Sequence, residues 1–434
     1  MGIDRQECNL KRLLSAWGVT SSRESLLFML YAVVFHIGLL GMNDVLLNFY
    51  FVSLGYSEET IGLLQSLPRL GGFVTSIPVG LIASRFGARR IIIASTAGAA
   101  LTFFTLVLFP SLPALALSRF MLGFLYGAQQ IALSPLMFAL VEPEKHTRFF
   151  AAHNVLSMFG MAFGSFVGGF TPALMVALFG GAAGISDPHT SFAYGLALLL
   201  AGFIGLLSIW PLLYLTTDTI RQRARSLVPG AQARVRWGRL LLLSLPLLTF
   251  GFTGGLTFPF YNLFFRTRFD QPDPSVGIIL SLAWIGMALI PLFNPLWERR
   301  FGRVWTLGIT LSIAALSFLG LSLAETLALS IVFYVLAASF RNVMQPVFQP
   351  LVMSHVPAGQ HNLVSSLNMI LWNLGWFGAT AMSGFLQKEY GFALIMQIVA
   401  LGVLVTAVSV VLIFRHRVTD TTTPEFALTL EEPR

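Results

Sequence analysis

Four charged side chains lie inside long apolar stretches of this sequence: Asp44, Arg69, Arg119 and Arg341. A charge surrounded by hydrocarbon is costly, so it is normally retained for a function or for pairing with an opposite charge. Asp44 is the only acid placed deep in such a stretch, which makes it the candidate group for binding and releasing a proton. The apolar stretches of the second half contain no acid that could pair with Arg341, which makes Arg341 a candidate for substrate contact.

Further polar and aromatic residues recur at helical spacing in the same stretches. Residues three or four apart share one face of a helix. The stripes consist of His36, Asn43 and Asn48; Tyr126 and Gln130; Thr253, Thr257 and Tyr261; Gln345; and Asn373 and Trp376. Because such stripes are costly against lipid, we expect them to line a shared substrate cavity. Hydrogen bonds that join neighbouring helices are the alternative explanation for any one of them.

Enzymatic chemistry is not favoured by the remaining residues. The pair Asn43-Asp44 begins like the Asp-rich motif of prenyltransferases, but no second Asp follows, and the seven histidines form no H-E-x-x-H pattern. There is no phosphate-binding loop, so the chain is not an ATP-driven pump by itself. The single cysteine, Cys8, allows neither a disulfide nor a Cys-based metal site. We therefore predict no enzyme activity, no cofactor and no metal.

The composition identifies the element that must position these groups, which is the membrane-spanning helix. The chain has 434 residues, of which 56% are hydrophobic and 11% are charged, whereas a soluble domain has about 25% charged residues. Crossing a bilayer takes about 20 apolar residues. Twelve stretches meet this requirement: 26–51, 59–82, 91–110, 113–140, 149–179, 191–215, 240–265, 275–297, 304–323, 326–353, 362–386 and 391–414.

An arginine-rich polar segment divides the twelve stretches into two sets of six. The predicted organisation is an N-terminal segment (1–24), two six-helix bundles (25–215 and 240–415), a linker (216–239) and a tail (416–434). With the N-terminus placed inside the cell, the inner loops and both tails hold 21 of the 27 Lys and Arg residues. This bias predicts that both termini are cytoplasmic. The net charge of +8 then faces an anionic lipid surface and not nucleic acid.

The two halves resemble each other at an offset of 214 or 215 residues. The segment that begins at Thr60 and ends at Gly71 matches the one that begins at Ser275 and ends at Gly286, and Asn48 matches Asn262. A register that stays constant across loops indicates an internal repeat. Two parallel six-helix repeats with a site between them are typical of a family of secondary transporters.

Three motifs resemble those of the major facilitator superfamily. The loop after the second stretch resembles the G-x-x-x-D-R-x-G-R-R motif of that family, with Ser84 in place of the acid; its matching residues are Gly80, Arg85, Gly87, Arg89 and Arg90. The fourth stretch carries Arg119 followed by spaced glycines, like the motif of proton-coupled exporters. The fifth stretch resembles the antiporter motif, with Ser165 in place of Pro; its matching residues are Gly160, Gly164, Gly168 and Gly169.

The resemblance implies the fold, the class of function and the neighbours of each helix. It implies an all-α membrane protein of twelve helices in two pseudo-symmetric bundles, with helices 1, 4, 7 and 10 around the cavity. Asp44 and Arg119 lie at similar depths in neighbouring helices 1 and 4, so they are expected to pair, with Asp44 as the proton-responsive group.

The function expected from this resemblance is proton-coupled efflux of a small amphipathic organic solute by a monomer in the inner (cytoplasmic) membrane. The partners expected are therefore a small-molecule substrate, protons and the lipid bilayer. A uniporter, an importer and a lipid flippase on the same fold are the open alternatives.

Overall fold

The structure is a computed structural model that describes residues 22–216, 236–357 and 360–415, apart from the side chains of 76–86 and Asn362. The predicted tail, 416–434, lies outside the described residues. Most of the predicted N-terminal segment and of the predicted linker lies outside them as well, including Cys8.

Six helices make up the first half of the described chain. They are α1 (Arg23–Ser53), α2 (Glu58–Phe86), α3 (Ala88–Leu108), α4 (Leu112–Leu140), α5 (His146–Met175) and α6 (Ser191–Leu213). α1 contains a π-helical segment, His36–Met42, immediately before Asp44. π-helical segments are uncommon in proteins, and many of those that occur are at functional sites.

Six further helices make up the second half. They are α7 (Trp237–Phe269), α8 (273–301), α9 (303–323), α10 (Leu327–Met353), α11 (361–390) and α12 (392–414). Gly302 and Gly391 separate α8 from α9 and α11 from α12, with φ of 75° and 72°. Only glycine adopts such angles without strain, which explains how two long apolar stretches each fold back as two helices.

Among the described residues, ten of the twelve helices lie in stretches that are long and apolar enough to cross a bilayer; α2 and α4 are not among these stretches. Eight continuous stretches of the described residues meet that criterion, and two of them, Asp273–Leu323 and Leu363–Phe414, contain the glycine breaks. Large apolar side chains such as Leu117, Leu316 and Leu401 are more than 60% exposed, as expected of helices surrounded by lipid. The predicted all-α, twelve-helix membrane fold is confirmed.

The two halves meet along two glycine-lined seams. In one, α2 approaches α11 so closely that a Cβ on Gly62 would lie 3.0 Å from the backbone N of Gly384. In the other, α5 approaches α8, and a Cβ on Gly169 would lie 2.6 Å from the carbonyl O of Asp273. Small residues allow such backbone contact between membrane helices. Both seams lie toward the end of the bundle where α1 turns into α2 and α7 into α8, which we call the closed end.

A polar cluster joins the two halves at the closed end. The hydroxyl of Tyr194 on α6 donates a hydrogen bond of 2.7 Å to Asp273 at the start of α8. Arg266 donates to the same hydroxyl over 2.9 Å and lies 3.4 Å from Asp273. His189 lies 3.7 Å from Asp273. We call these four residues the closed-end cluster.

Candidate functional site

A chain of hydrogen bonds crosses the middle of the molecule from one half to the other. Arg119 on α4 donates to the side-chain oxygen of Gln65 on α2 over 2.6 Å, and Gln65 donates to Asn48 on α1 over 2.5 Å. Asn48 donates to Asn262 on α7 over 2.8 Å, and Asn262 donates to the backbone carbonyls of Asp44 and Val45. The buried guanidinium of Arg119 is thus connected to the second half through amides alone.

Asn48 and Asn262 occupy equivalent positions in the internal repeat. They are 214 residues apart and form a direct side-chain hydrogen bond. Two equivalent residues can touch only where the pseudo-symmetry axis passes between them. Both are nearly fully buried, so this pair marks a polar contact on the axis about which the two halves are related.

Asp44 does not contact Arg119, which corrects the expected ion pair. In the described part of the chain, no ion pair joins these two residues. Instead, the indole Nε1 of Trp284 on α8 donates to the Asp44 carboxylate over 3.0 Å. The physical reason is that Gln65 accepts the Arg119 hydrogen bond at the level of Asn48, one helical turn beyond Asp44.

Arg69 lies against two tryptophans of the opposite half. Its guanidinium carbon is 4.1 Å from the ring centroid of Trp376 and 4.7 Å from that of Trp372, both on α11. The two indoles are themselves in edge-to-face contact, with centroids 5.4 Å apart. An aromatic ring attracts the flat face of a guanidinium and does not bind the N–H groups at the edge of that plane. The two indoles therefore fix the Arg69 side chain and leave its N–H groups available for a hydrogen-bond acceptor.

Arg341 approaches the same tryptophan from α10. It lies over the ring of Phe250 at 3.9 Å and donates to the Phe250 carbonyl over 2.6 Å. A Cβ on Gly254 would be 2.6 Å from both Nη2 of Arg341 and Cζ3 of Trp376. The absent side chain at Gly254 therefore allows Arg341 and Trp376 to meet, and through Trp376 it brings Arg341 close to Arg69.

Phe258 connects this cluster to Asp44. Its ring is 5.7 Å from Trp376 and 5.4 Å from Trp284, the donor to Asp44. Phe258 on α7, Trp284 on α8 and Trp376 on α11 therefore form one aromatic wall. Asp44 lies on one side of this wall, and Arg69 and Arg341 lie on the other.

Positive charge exceeds negative charge at this centre. In the described part of the chain, no ion pair includes Arg69, Arg119 or Arg341. The Nε atoms of Arg119 and Arg341 and the Nε1 atom of Trp372 are buried without a hydrogen-bond partner. Buried donors are normally satisfied, so the unpartnered donors of Arg341 and Trp372, which both lie near Trp376, indicate a place for an acceptor.

The α7 stripe does not line the cavity as predicted. Thr253 is 1% exposed, and its methyl carbon would lie 2.5 Å from a Cβ on Gly402, so it packs against α12. Its hydroxyl donates to the carbonyl of Phe250 in its own helix. Thr257 and Tyr261 bond to each other and face α10, where Tyr261 packs on Tyr334. A threonine that bonds its own backbone tolerates an apolar neighbour, so its polarity does not reveal which way it faces.

His36 also points away from the tryptophan cluster. It is buried between α1 and α5, where its ring lies 6.2 Å from that of His153 and hydrogen-bonds to the Ala32 carbonyl. Asn373 is buried and donates to the carbonyl of Met369.

The other predicted cavity residues are partly accessible. Asn43 has a buried side-chain oxygen without a partner, and Tyr126 stacks on Phe35 with ring centroids 6.3 Å apart. Gln130 is half-buried and Gln345 is exposed. Their contact with a substrate stays a prediction.

The glycines of α5 lie at helix contacts. A Cβ on Gly160 would be 2.8 Å from the carbonyl of Val33 on α1, and one on Gly168 would be 3.1 Å from Met42. Gly164 is similarly close to α1, whereas Gly169 faces α8. This row of glycines therefore packs α5 against both the π-helical part of α1 and the opposite half.

The loop motif connects α2, α3 and α6. Gly87 has a φ of 82° and begins α3, and the equivalent Gly302 has a φ of 75°. Arg89 donates to the carbonyls of Leu212 and Leu213, which end α6, whereas Arg90 is exposed. Gly80 and Arg85 lie in the part of α2 for which the structure describes the backbone alone.

Sequence reasoning missed Gln65, Trp284 and the pairing of Arg69 with α11. The repeat carried a usable signal, because Gln65 aligns with Leu280 and Arg69 with Trp284. Positions where a polar residue in one repeat replaces an apolar one in the other have lost their symmetry. Such a loss points to a function that only one half performs.

The chain belongs to the major facilitator superfamily. The model of that family matches residues 29–269 and 243–431. It follows that this is a multi-pass membrane transporter and not an enzyme.

A curated relative and many solved structures resemble the chain. The niacin transporter NiaP of Acinetobacter baylyi is 30% identical over 116 residues, a match that spans 27% of this chain and 26% of that protein. A bacterial homologue of the human lysosomal transporter Spinster, inward-facing and unoccupied, has a TM-score of 0.75, 14% identity and coverage of 93% and 99%. The nucleoside transporter NupG has a TM-score of 0.69, 17% identity and coverage of 90% and 99%. At these identities the two structures establish the fold alone.

Proposed function

We propose that this transporter exports a small amphipathic organic solute in exchange for protons, with Asp44 as the group that binds the proton. The observation that carries the proposal is the hydrogen bond from Trp284 to Asp44, which joins α8 of one half to α1 of the other. A hydrogen bond to a charged carboxylate is stronger than one to a neutral group. Protonation of Asp44 therefore weakens a contact between the halves.

This contact acts as a lock on the empty carrier. With Asp44 ionised and no solute bound, the bond from Trp284 holds the closed end shut and resists the return to the other state. Protonation releases the lock, so the protonated carrier can change state while the empty, ionised carrier cannot. An exchanger needs both properties, because an empty carrier that crosses freely dissipates the gradient.

The groups around Asp44 support a reversible protonation. Trp284 supplies a hydrogen bond to the carboxylate, and no ion pair among the described residues includes Asp44. Arg119 is connected to the backbone of Asp44 only through Gln65, Asn48 and Asn262. The carboxylate can thus accept a proton without breaking an ion pair, and Arg119 acts by steadying the network on the symmetry axis.

The orientation proposed from the Lys and Arg distribution makes the closed end the outer end. Both termini then lie in the cytoplasm of a cell with a multi-pass inner membrane. We propose that the bundles 25–215 and 240–415 rock about the axis through Asn48 and Asn262 within a single monomer. The similarity to transporters named for niacin and for nucleosides agrees with a small organic solute as the substrate.

The test is solute exchange by the purified chain in liposomes that contain a pH-sensitive dye. We expect an imposed pH gradient to drive solute against its own gradient, and solute movement to displace protons in the opposite direction. Solute movement that equilibrates with no response to pH would instead identify a uniporter. Proton movement in the same direction as the solute would identify a symporter.

A further inference from the structure

We infer that the substrate carries a carboxylate, and that Arg69 and Arg341 hold this carboxylate between the two halves of the protein. The inference rests on the proposed function, in that it takes the centre of the molecule as the transport site. It adds the chemical class of the solute and the two residues that select it.

The first step is the presentation of Arg69. Its guanidinium lies over the indoles of Trp372 and Trp376 at 4.7 and 4.1 Å. These contacts use the face of the cation and leave its N–H edge free. A guanidinium edge matches the two oxygens of a carboxylate, which it binds through two parallel hydrogen bonds. A tryptophan pair that fixes the plane of the guanidinium also reduces the loss of side-chain freedom on binding.

The second step is the position of Arg341. One of its N–H groups is used by the Phe250 carbonyl, while its Nε is buried and has no partner. A Cβ on Gly254 would lie 2.6 Å from both its Nη2 and the Cζ3 of Trp376, so Arg341 and the indole that carries Arg69 are neighbours. The Nε1 of Trp372 is a further buried donor without a partner. Donor groups from α2, α10 and α11 therefore surround Trp376 without an acceptor among the described residues.

The third step is the balance of charge. Among the residues that the structure describes, Asp44 is the only acid near this centre, and Trp284 already donates to it from the far side of Phe258. Uncompensated buried cations are costly, and a bound anion offsets that cost. A cationic solute would add to the positive charge and a neutral one would leave it unchanged. The aromatic wall of Phe258, Trp372 and Trp376 then suits a carboxylate attached to a flat apolar ring.

The fourth step connects binding to transport. Arg69 belongs to the first half and Arg341 to the second, so one carboxylate held by both bridges the seam between α2 and α11. Opening the closed end separates these helices and parts Arg69 from the tryptophans. The site is therefore complete only while the seam is closed, and the solute is released when the seam opens.

The experiment measures binding of small probes to the purified full-length chain in detergent, without a gradient. The probes are benzoate, its neutral amide benzamide, and the cation benzylamine, compared by calorimetry and by thermal stabilisation. We expect benzoate to bind at least about tenfold more tightly than either analogue, because benzamide is neutral with a single carbonyl oxygen and benzylamine is a cation with no acceptor oxygen. Equal binding of the three probes, or no stabilisation by benzoate, would overturn the inference.

Two conservative variants and one control locate the site. Arg69→Lys and Arg341→Lys keep the positive charge but lose the two parallel N–H donors of the guanidinium. Each is therefore expected to weaken benzoate binding by about tenfold or more. Arg303→Gln, an exposed arginine paired with Glu298 at 3.2 Å, is expected to bind benzoate like the parent. Size-exclusion profiles check that the variants are folded. Benzoate binding that stays within about twofold of the parent in both Lys variants would contradict the inference.

The probe-binding experiment can fail or succeed independently of the proton-exchange assay that tests the proposed function. Carboxylate selectivity measured without a gradient stands even if transport proves to be independent of protons. Conversely, proton exchange that persists while the three probes bind alike would leave the proposed function intact and remove this inference.

Discussion

Two carboxylates each accept a hydrogen bond from an aromatic residue of the opposite half, yet their surroundings differ. Asp273 accepts from Tyr194 over 2.7 Å and has Arg266 at 3.4 Å. Asp44 accepts from Trp284 over 3.0 Å and forms no ion pair within the described part of the chain. Protonating Asp273 would break an ion pair, whereas protonating Asp44 only weakens one hydrogen bond. The comparison separates an acid that stabilises the closed end from an acid that can sense protons.

The arginines repeat the same contrast. Arg266 at the closed end is paired with Asp273, and it also lies 4.3 Å from the ring of Phe49. Arg69 and Arg341 at the centre have aromatic neighbours but, among the described residues, no acid. Satisfied charges thus lie where the halves must hold together, and unsatisfied charges lie where a ligand would enter.

The largest effect on stability is expected when the satisfied acid is changed. Asp273→Asn removes the nearly buried charge opposite Arg266 and leaves that cation, whose side chain is 26% exposed, without its acidic partner. Breaking such a pair costs about 3 kcal/mol. We expect a clear drop in the melting temperature of the purified protein, measured by intrinsic fluorescence. Asp44→Asn is the matched control and should melt within a degree or two of the parent; similar losses in both variants would remove the contrast.

A smaller effect is expected when the donor to Asp44 is removed. Trp284→Phe keeps an aromatic ring against Phe258 but loses the hydrogen bond between the halves, which is worth about 1.5–3 kcal/mol to a charged group. We expect the closed end to open in a larger fraction of molecules. Spin labels on Glu58→Cys and Glu389→Cys, with Cys8 replaced, report this as a longer distance population. An unchanged distance distribution at neutral pH would argue against the lock.

The smallest effect is expected at the exposed ion pair of the closed end. Glu59 and Lys388 are 3.0 Å apart, and their side chains are 40% and 49% exposed. Solvent screening leaves such pairs with little net contribution to stability. Glu59→Gln should therefore leave both the melting temperature and the distance between the two labels within error of the parent. A large change in either would mean that surface charge, and not the buried cluster, holds this end.

The fold could be predicted from the sequence because lipid imposes strong constraints. Backbone groups in hydrocarbon must be satisfied within helices, so apolar length alone located the spans. The glycine breaks at Gly302 and Gly391 were not predicted as breaks of a continuous helix, but the polar residues around them separated the stretches correctly. The repeat register also anticipated that Asn48 and Asn262 are equivalent positions.

The site could be predicted only in part, because side-chain direction depends on how each helix is rotated by its neighbours. Thr253 matched a cavity stripe by spacing, yet close packing against Gly402 turns it toward α12. Depth along a helix placed Asp44 and Arg119 within one turn of each other, but it could not reveal that Gln65 lies between them. The contact of Arg69 with Trp376 depends on how α2 packs against α11. The spacing of residues within a single helix carries no information about that packing.

Proton coupling through Asp44 is the central claim, and paired transport assays of Asp44→Asn in liposomes test it most directly. The first assay follows exchange of labelled for unlabelled solute at equal pH, and the second follows accumulation driven by a pH gradient. The neutral amide has the volume of a protonated acid but cannot release a proton. We predict that Asp44→Asn retains exchange at a rate near that of the parent and loses gradient-driven accumulation. Accumulation equal to that of the parent would contradict the account and make Asp44 a structural residue.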